Sequence, residues 1–396
     1  MSSTNEENHK LVDEIIGYLL EDHQARLGEA DEAMIKVAEK MLEEGEKERL
    51  ARREKALEER IAFWNHLMSL KSPEKDIGTL LHEQARDFEK TFAKFFPVSE
   101  ARTFASIVGV QVQVLALIWL RYQLDFVKYG VFEEDLMMTL SFLTLNVPYD
   151  VVASMWDLKR TDFMTKMKAT IGILHEVLDE VSWEKRPWHR DEVVATEDNM
   201  FHNVTFVLDG IECGIAKPSD PVQDAAFYSG KAGKHTIKYE TCTHISSGRI
   251  MWESGGISGA ISDISLTKVS GLLNAIPDGE IGLADKGYRG LPKEKFMVML
   301  SKESTSENER SITTEEEWFN RLCSGLRIEI ERVNGRLKRF GILWRYRMRD
   351  RFAHKIIFNI LCNIVNIQME LQPMRKNMHD LLRHCPHKVP RRARPS

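Results

Sequence analysis

Two short apolar runs, each closed by an aspartate, constrain this chain more than any other feature. Val204-Thr-Phe-Val-Leu208 leads into Asp209-Gly210, and Ile281-Gly-Leu-Ala284 leads into Asp285-Lys-Gly-Tyr288. Short apolar runs bounded by turn residues read as buried strands. Each run therefore predicts a strand that ends on its aspartate.

A third carboxylate is chosen on helical geometry. From Trp318 to Phe340 the chain reads as an amphipathic helix. At about 100° per residue, Asn320, Arg327, Glu331 and Lys338 fall within about 20° of one line. The apolar stripe of Phe319, Leu322, Leu326, Ile330, Val333 and Leu337 lies beside it. Glu329 falls about 180° from the polar line, which selects Glu331 over Glu329. Gly335 could interrupt the helix, which would affect the register only beyond it. Two strand-end aspartates and one helix-borne glutamate can converge on two Mg²⁺ ions. Such a site cuts phosphodiesters by in-line displacement.

Six motifs follow one another in a recognisable order: Val-Leu-Asp209-Gly, Tyr228-Ser-Gly-Lys231, Gly259-Ala-Ile-Ser-Asp263, Ala284-Asp-Lys-Gly-Tyr288, Phe319-Asn320, and Arg327-x-x-x-Glu331-x-x-x-Gly335-x-Leu-Lys338. The run resembles the DDE superfamily endonuclease domain of Harbinger-type transposases and their domesticated nuclease relatives, over about residues 200–368. The resemblance implies an RNase H-like fold, with Asp209, Asp285 and Glu331 as catalytic residues and metal ligands. It implies two divalent ions, Mg²⁺ with Mn²⁺ as a substitute, and double-stranded DNA as partner. Asp263 matches a further family aspartate and is read as supporting, as are Asn320, Arg327 and Lys338. Ala-Asp-Lys-Gly-Tyr departs from the Gly-Asp usual in the Harbinger type and is similar to bacterial insertion-sequence transposases.

Composition bounds the rest. The chain has 396 residues, 43% hydrophobic, enough for two or three packed domains. Its net charge of −5 does not advertise a nucleic-acid binder, but the charge is unevenly placed. From Arg327 to Lys355 there are ten Lys or Arg against three Asp or Glu, a net of +7. Beside a metal-ion site this strip, with Arg336, Arg339, Arg345 and Arg347, reads as a phosphate grip. The tail after Pro373 is basic too, and Lys388-Val-Pro-Arg-Arg-Ala-Arg394 reads as a nuclear-import or DNA-binding element. Five Cys without paired spacing fit a reducing, intracellular compartment: the nucleus in a eukaryote, the cytoplasm otherwise. The polar N-terminus shows no signal peptide. The most apolar stretch, Phe104 to Leu120, is shorter than the roughly 20 residues of a spanning helix and reads as one buried helix with no membrane role.

In chain order, residues 1–76 form a charged helical arm. The arm is a candidate contact for a second copy or a helical protein partner. Residues 77–180 form a helical domain, broken near Pro97, with Phe92, Phe95 and Phe96 in a packed corner. Residues 131–180 read as helix, turn, helix, turn, helix. Leu136, Leu140 and Leu143 mark one inner face and Val151, Val152 and Met155 another, a helix-turn-helix-like segment. Residues 181–203 join this half to the core at 204–371. Lys217 to Pro221 reads as a loop, Ile237–Ile245 and Arg249–Glu253 as a hairpin, Ser265–Leu273 as a helix, Phe296–Leu300 as a strand, and Ser301–Ser311 as a mobile polar stretch. Phe352–Leu371 is an apolar helix closing the core, and 372–396 is the basic tail. The fold class is α+β: a mostly helical N-terminal half, then an RNase H-like α/β core. The rival functions are a domesticated DNA-binding or scaffold protein that does not cut, and a helical adaptor whose N-terminal half does the work.

Overall fold

The central strand β1, Val204–Gly214, has neighbours on both sides. These features come from a computed structural model that describes residues 73–96, 101–183, 185, 204–245, 247–299, 303–305, 308–310, 314–346 and 351–373. All of them belong to one compact unit, 72–396. The expected arm up to residue 72, most of the joining segment and the tail beyond Pro373 lie outside the described residues.

β1 pairs antiparallel with β3 (Lys234–His244), which pairs antiparallel with β4 (Ile250–Ser258). On its other side β1 pairs parallel with β5 (Ile281–Ala284), which pairs parallel with β6 (Phe296–Val298). The two-residue β2 (Tyr228–Ser229) pairs with the start of β3. The sheet order is thus β4-β3-β1-β5-β6.

Both faces of β1 are covered, and its side chains alternate between them. Val207 packs with Leu326 and Ile330 of α10 (Thr314–Leu337). Ile211 and Cys213 continue that face, packing with Val333, Leu337 and Phe358, the last on α11 (Arg351–Leu371). Phe206 and Leu208 turn the other way, onto Leu272 and Ile276 beside the short helices α8 (Asp263–Val269) and α9 (Leu272–Ala275).

Several expectations need correction. Asp209 does not end its strand. Ile211 and Cys213 resume the apolar alternation beyond it, and β3 supplies partners as far as Gly214. The run after Lys217–Pro221 is not continuous loop. Asp220 caps helix α7 (Pro221–Phe227) by accepting from the Gln223 amide at 2.8 Å, with proline in the first turn. The stretch 301–311 contains a two-stranded hairpin, β7 (Glu303–Thr305) and β8 (Asn308–Arg310). The helix α10 runs straight through Gly335.

The N-terminal half is helical: α1 (Pro73–Phe95), α2 (Ala101–Val108), α3 (Val112–Lys128), α4 (Glu133–Leu145), α5 (Tyr149–Met155) and α6 (Arg160–Val177). The expected single helix over Phe104–Leu120 is two, bent by 58°. The break falls at Gly109, whose φ of +88° is open to glycine at little cost. Among the described residues no single helix is long and apolar enough to cross a membrane. The Phe92, Phe95 and Phe96 cluster is a packed corner, with Phe95 and Phe96 at 4.9 and 5.4 Å from the Trp156 ring. The segment α4–α5–α6 has the expected helix spacing. However, Val151 is 45% exposed, because the seven-residue α5 docks through Val152 and Ala153 instead. α4 is buried along nearly its whole length.

The helical half is keyed to the sheet by polar bonds from α11. Asn366 donates to the Glu180 and Ile250 carbonyls at 2.9 and 2.8 Å and accepts from the Ile250 amide at 2.7 Å. Asn363 accepts from the Val181 amide at 3.0 Å. These side chains bond backbone groups of β4 and of the segment after α6. An ion cluster of Arg121, Glu180, Arg249 and Glu370 closes the same seam.

Candidate active site

Parallel pairing sets the two aspartates side by side. Leu208 is registered with Ala284, so Asp209 and Asp285 each follow a paired position on neighbouring strands. β5 stops there, and Asp285 caps the 3₁₀ turn Lys286–Tyr288 by accepting from the Lys286 amide at 2.6 Å. β1 continues, so Asp209 stands in mid-strand at the level where its neighbour ends.

α10 lies over this point. The Arg327 guanidinium reaches both carboxylates, at 3.8 Å from Asp209 and 3.4 Å from Asp285. Two turns further on, the Asn334 amide donates to Asp209 Oδ2 at 2.9 Å. Arg327 and Asn334 thus mark the face of α10 turned to the aspartates. Glu331, one turn after Arg327 and three residues before Asn334, falls between them on that face. Its side chain is exposed.

Burial pushes the Asp209 carboxyl above its usual range, because a charge withdrawn from water is disfavoured. The Arg327 charge, the Gly210 amide and Lys231 oppose that shift, while Asp263 adds to it. The Tyr288 phenol is pushed well above its ordinary value by burial, then by the charges of Asp263, Asp209 and Glu240.

Asp263 stands on the opposite side of β1. Lys238 Nζ is 3.1 Å from its Oδ1, and Lys231 Nζ 3.8 Å from its Oδ2. Lys238 is only 5% exposed; it also donates to the Ile261 carbonyl at 2.6 Å and faces Glu212 at 3.6 Å. Gly210 lets this carboxylate approach the strand, since a Cβ there would lie 3.2 Å from Asp263 Oδ1. Sequence reasoning missed Lys238 and Asn334. For Asn334 the signal was present, since its helical position is near the Arg327–Glu331 line.

The other expected residues are spread along α10 and beyond. Asn320 is half-buried toward the helix start. Arg336 is half-buried and donates to the Gln372 carbonyl at 3.1 Å. Lys338, Arg339 and Arg345 are exposed. Arg347 and the side chains of Phe319, Leu322 and Glu329 lie outside the described residues.

The donor chemistry suits a hard divalent cation. Every donor is an oxygen: the two neighbouring carboxylates and Asn334 Oδ1, a buried acceptor without a hydrogen-bond partner. A cationic group already spans the two aspartates. Among the described residues no three acidic, His or Cys side chains stand close enough together to ligate one ion.

Residues 208–371 match the family model described as DDE superfamily endonuclease. Over 173 residues the chain is 34% identical to the "Probable transposase for insertion sequence element IS702" of Microchaete diplosiphon. That stretch is 42% of this chain and 58% of the relative, so the chain spans little more than half of that protein's length. No solved structure matches.

Proposed function

We propose that this chain, whose residues 208–371 carry a DDE superfamily endonuclease domain, is a transposase-type nuclease that cuts DNA phosphodiesters with Asp209, Asp285 and Glu331. The observation that carries the reading is Arg327, whose one guanidinium spans the two aspartates from the helix face that also bears Glu331. The strand order, antiparallel on one side of β1 and parallel on the other, supports an RNase H-like assignment for the core.

In this reading Asp209, Asp285 and Glu331 hold two Mg²⁺ ions. Divalent ions held by these residues would supply activation of a water or 3′-hydroxyl and stabilisation of the leaving oxygen. Asn334 fixes the Asp209 carboxylate, and the Arg327 charge opposes the burial that raises the Asp209 pKa. Asp263, held by Lys238 and Lys231, presses negative charge on Asp209 from the other side of β1. Exposed Lys338, Arg339 and Arg345 continue the same surface as phosphate contacts. Strand transfer needs only that a DNA 3′-hydroxyl take the place of water.

The test is nicking of supercoiled duplex DNA by the full chain in Mg²⁺ or Mn²⁺. Metal-dependent nicking that Asp209→Asn removes is the expected result. A wild-type chain that binds DNA and leaves it uncut in both metals would replace this reading by that of a non-cutting DNA-binding protein.

A further inference from the structure

Trp344 is the most exposed aromatic ring among the described residues, at 57%. Nothing in the cleavage chemistry uses it. Its surroundings are nevertheless built with care. The indole N–H donates to the Lys338 carbonyl at the end of α10. The Trp344 amide donates to the Gly341 carbonyl at 3.0 Å. Next door, Asn146 donates to the carbonyls of Gly341 and Arg345 at 3.1 and 2.8 Å. The Tyr346 amide donates to the Gly214 carbonyl at 2.7 Å, and the buried Tyr346 ring meets His354 edge-on at 4.6 Å. The backbone from 341 to 346 is pinned on each side, while the side chains of Trp344 and Arg345 stay in water.

Exposed cations flank Trp344. A Cβ at Gly214 would clash with the Trp344 backbone carbonyl and lie 3.4 Å from Lys234 Nζ, so Lys234 stands near the Trp344 backbone. Lys338, whose carbonyl holds the indole, is itself exposed, as are Lys234, Arg339 and Arg345. A large exposed ring, tied by its indole N–H and carried on a backbone flanked by exposed cations, does not suit an apolar protein surface, which would have to desolvate those charges. It suits a strand that offers a flat π-face and phosphates together.

We infer that Trp344 is a stacking platform for an unpaired nucleobase of the DNA being cut, with Lys234, Lys338 and Arg345 gripping the adjoining phosphates. The inference rests on the nuclease reading and adds a specificity to it: preference for DNA whose bases are open beside the cleavage point. Its reach follows from the elements. Lys338 is seven residues beyond Glu331 along α10, about 10 Å at the helical rise. Gly214 is five residues beyond Asp209 along β1, about 17 Å at the strand rise. The stacked base is therefore roughly three to five nucleotides from the scissile phosphate, at about 3.4 Å of duplex axis per step.

The test compares two probes on the full chain in Ca²⁺: a blunt 30-base-pair duplex, and the same duplex with a five-nucleotide single-stranded 3′ extension containing 2-aminopurine. Wild type is expected to bind the extended probe roughly tenfold more tightly and to quench the 2-aminopurine, as one stacked base implies. Trp344→Ala should bind both probes equally and without quenching, and Trp344→Phe should keep most of the preference. If the extended-probe preference survives intact in Trp344→Ala, the platform is overturned while blunt-duplex binding and nicking still uphold the nuclease reading. Failure of wild type to bind either probe overturns both. A Trp344→Ala variant that changes sedimentation and not DNA binding assigns the ring to contact with a second copy, and also overturns the platform.

Discussion

The Asn334 amide holds Asp209 Oδ2 at 2.9 Å while its own Oδ1, equally buried, has no partner. An amide that fixes a carboxylate and leaves an acceptor bare suits a place where a cation or its water completes the shell. Asn334→Ala should slow nicking roughly tenfold or more and weaken Mn²⁺ binding, by the usual cost of losing a partner that orients a ligand. Mn²⁺ electron paramagnetic resonance beside the nicking assay checks both. An unchanged Mn²⁺ affinity would mean that Asn334 serves only the packing of α10.

In the proposed reading Arg327, which contacts both aspartates, would compete with a bound cation for them. Arg327→Gln should therefore tighten Mn²⁺ binding at pH 8, by roughly tenfold at the charge separation seen. At pH 5 the variant should bind more weakly than wild type, because Asp209 loses the charge that opposes its protonation. A crossing of the two binding curves with pH is the signature. Parallel curves would mean that the guanidinium does not govern the ionisation of Asp209.

The raised Asp209 pKa has a stability sign. The folded chain binds this proton more tightly than the unfolded chain, so the associated stability is full below the unfolded carboxylate pKa. It is lost as pH rises through the folded one. Asp209→Asn, which cannot ionise, should melt roughly 2 °C above wild type at pH 7.5 without divalent metal. The difference should shrink toward pH 4. Calorimetry across that range decides it; a variant less stable than wild type at both ends would contradict the account.

His354 works in the opposite direction. It is buried, shares a hydrogen bond at 2.7 Å with the Tyr239 hydroxyl, and burial lowers its pKa to about 4. A base whose folded pKa is depressed contributes stability above its unfolded pKa and loses it as pH falls toward the folded value. Between about pH 6.5 and pH 4 this one ring should account for about 3 kcal/mol of acid destabilisation. Urea midpoints for His354→Gln should fall less steeply over that window than those of wild type.

Much of this arrangement was legible in the sequence. The apolar runs at 204–208 and 281–284 are strands, and Leu326, Ile330, Val333 and Leu337 are the buried stripe of α10. Side-chain periodicity reports which face of an element is buried, and those faces are what it recovered. It could not show that β1 runs on past Asp209, because that depends on β3 offering partners from Glu240 back to Thr236, distant in sequence. Nor could it place Lys238, a charged residue that is buried only because Asp263, Glu212 and a carbonyl meet it across two elements. Gly109 broke a helix that composition alone made continuous. Asn334 was passed over because a neutral amide carries no charge to draw attention to its position on the helix.

Gly282 tests the strand that delivers Asp285. A Cβ there would collide with the Phe206 ring and come within 2.9 Å of Phe296. Gly282→Ala should destabilise the fold by about 1–3 kcal/mol through overpacking. Because Asp285 is three residues further on, nicking should fall as well, even at temperatures where the variant stays folded by circular dichroism.

The most direct measurement is single-turnover nicking of duplex DNA in Mn²⁺ by wild type, Asp209→Asn, Asp285→Asn, Glu331→Gln and Glu329→Gln at equal folded concentration. The account predicts cleavage by wild type and Glu329→Gln, and none by the other three. Normal cutting by Glu331→Gln beside an inactive Glu329→Gln would contradict it.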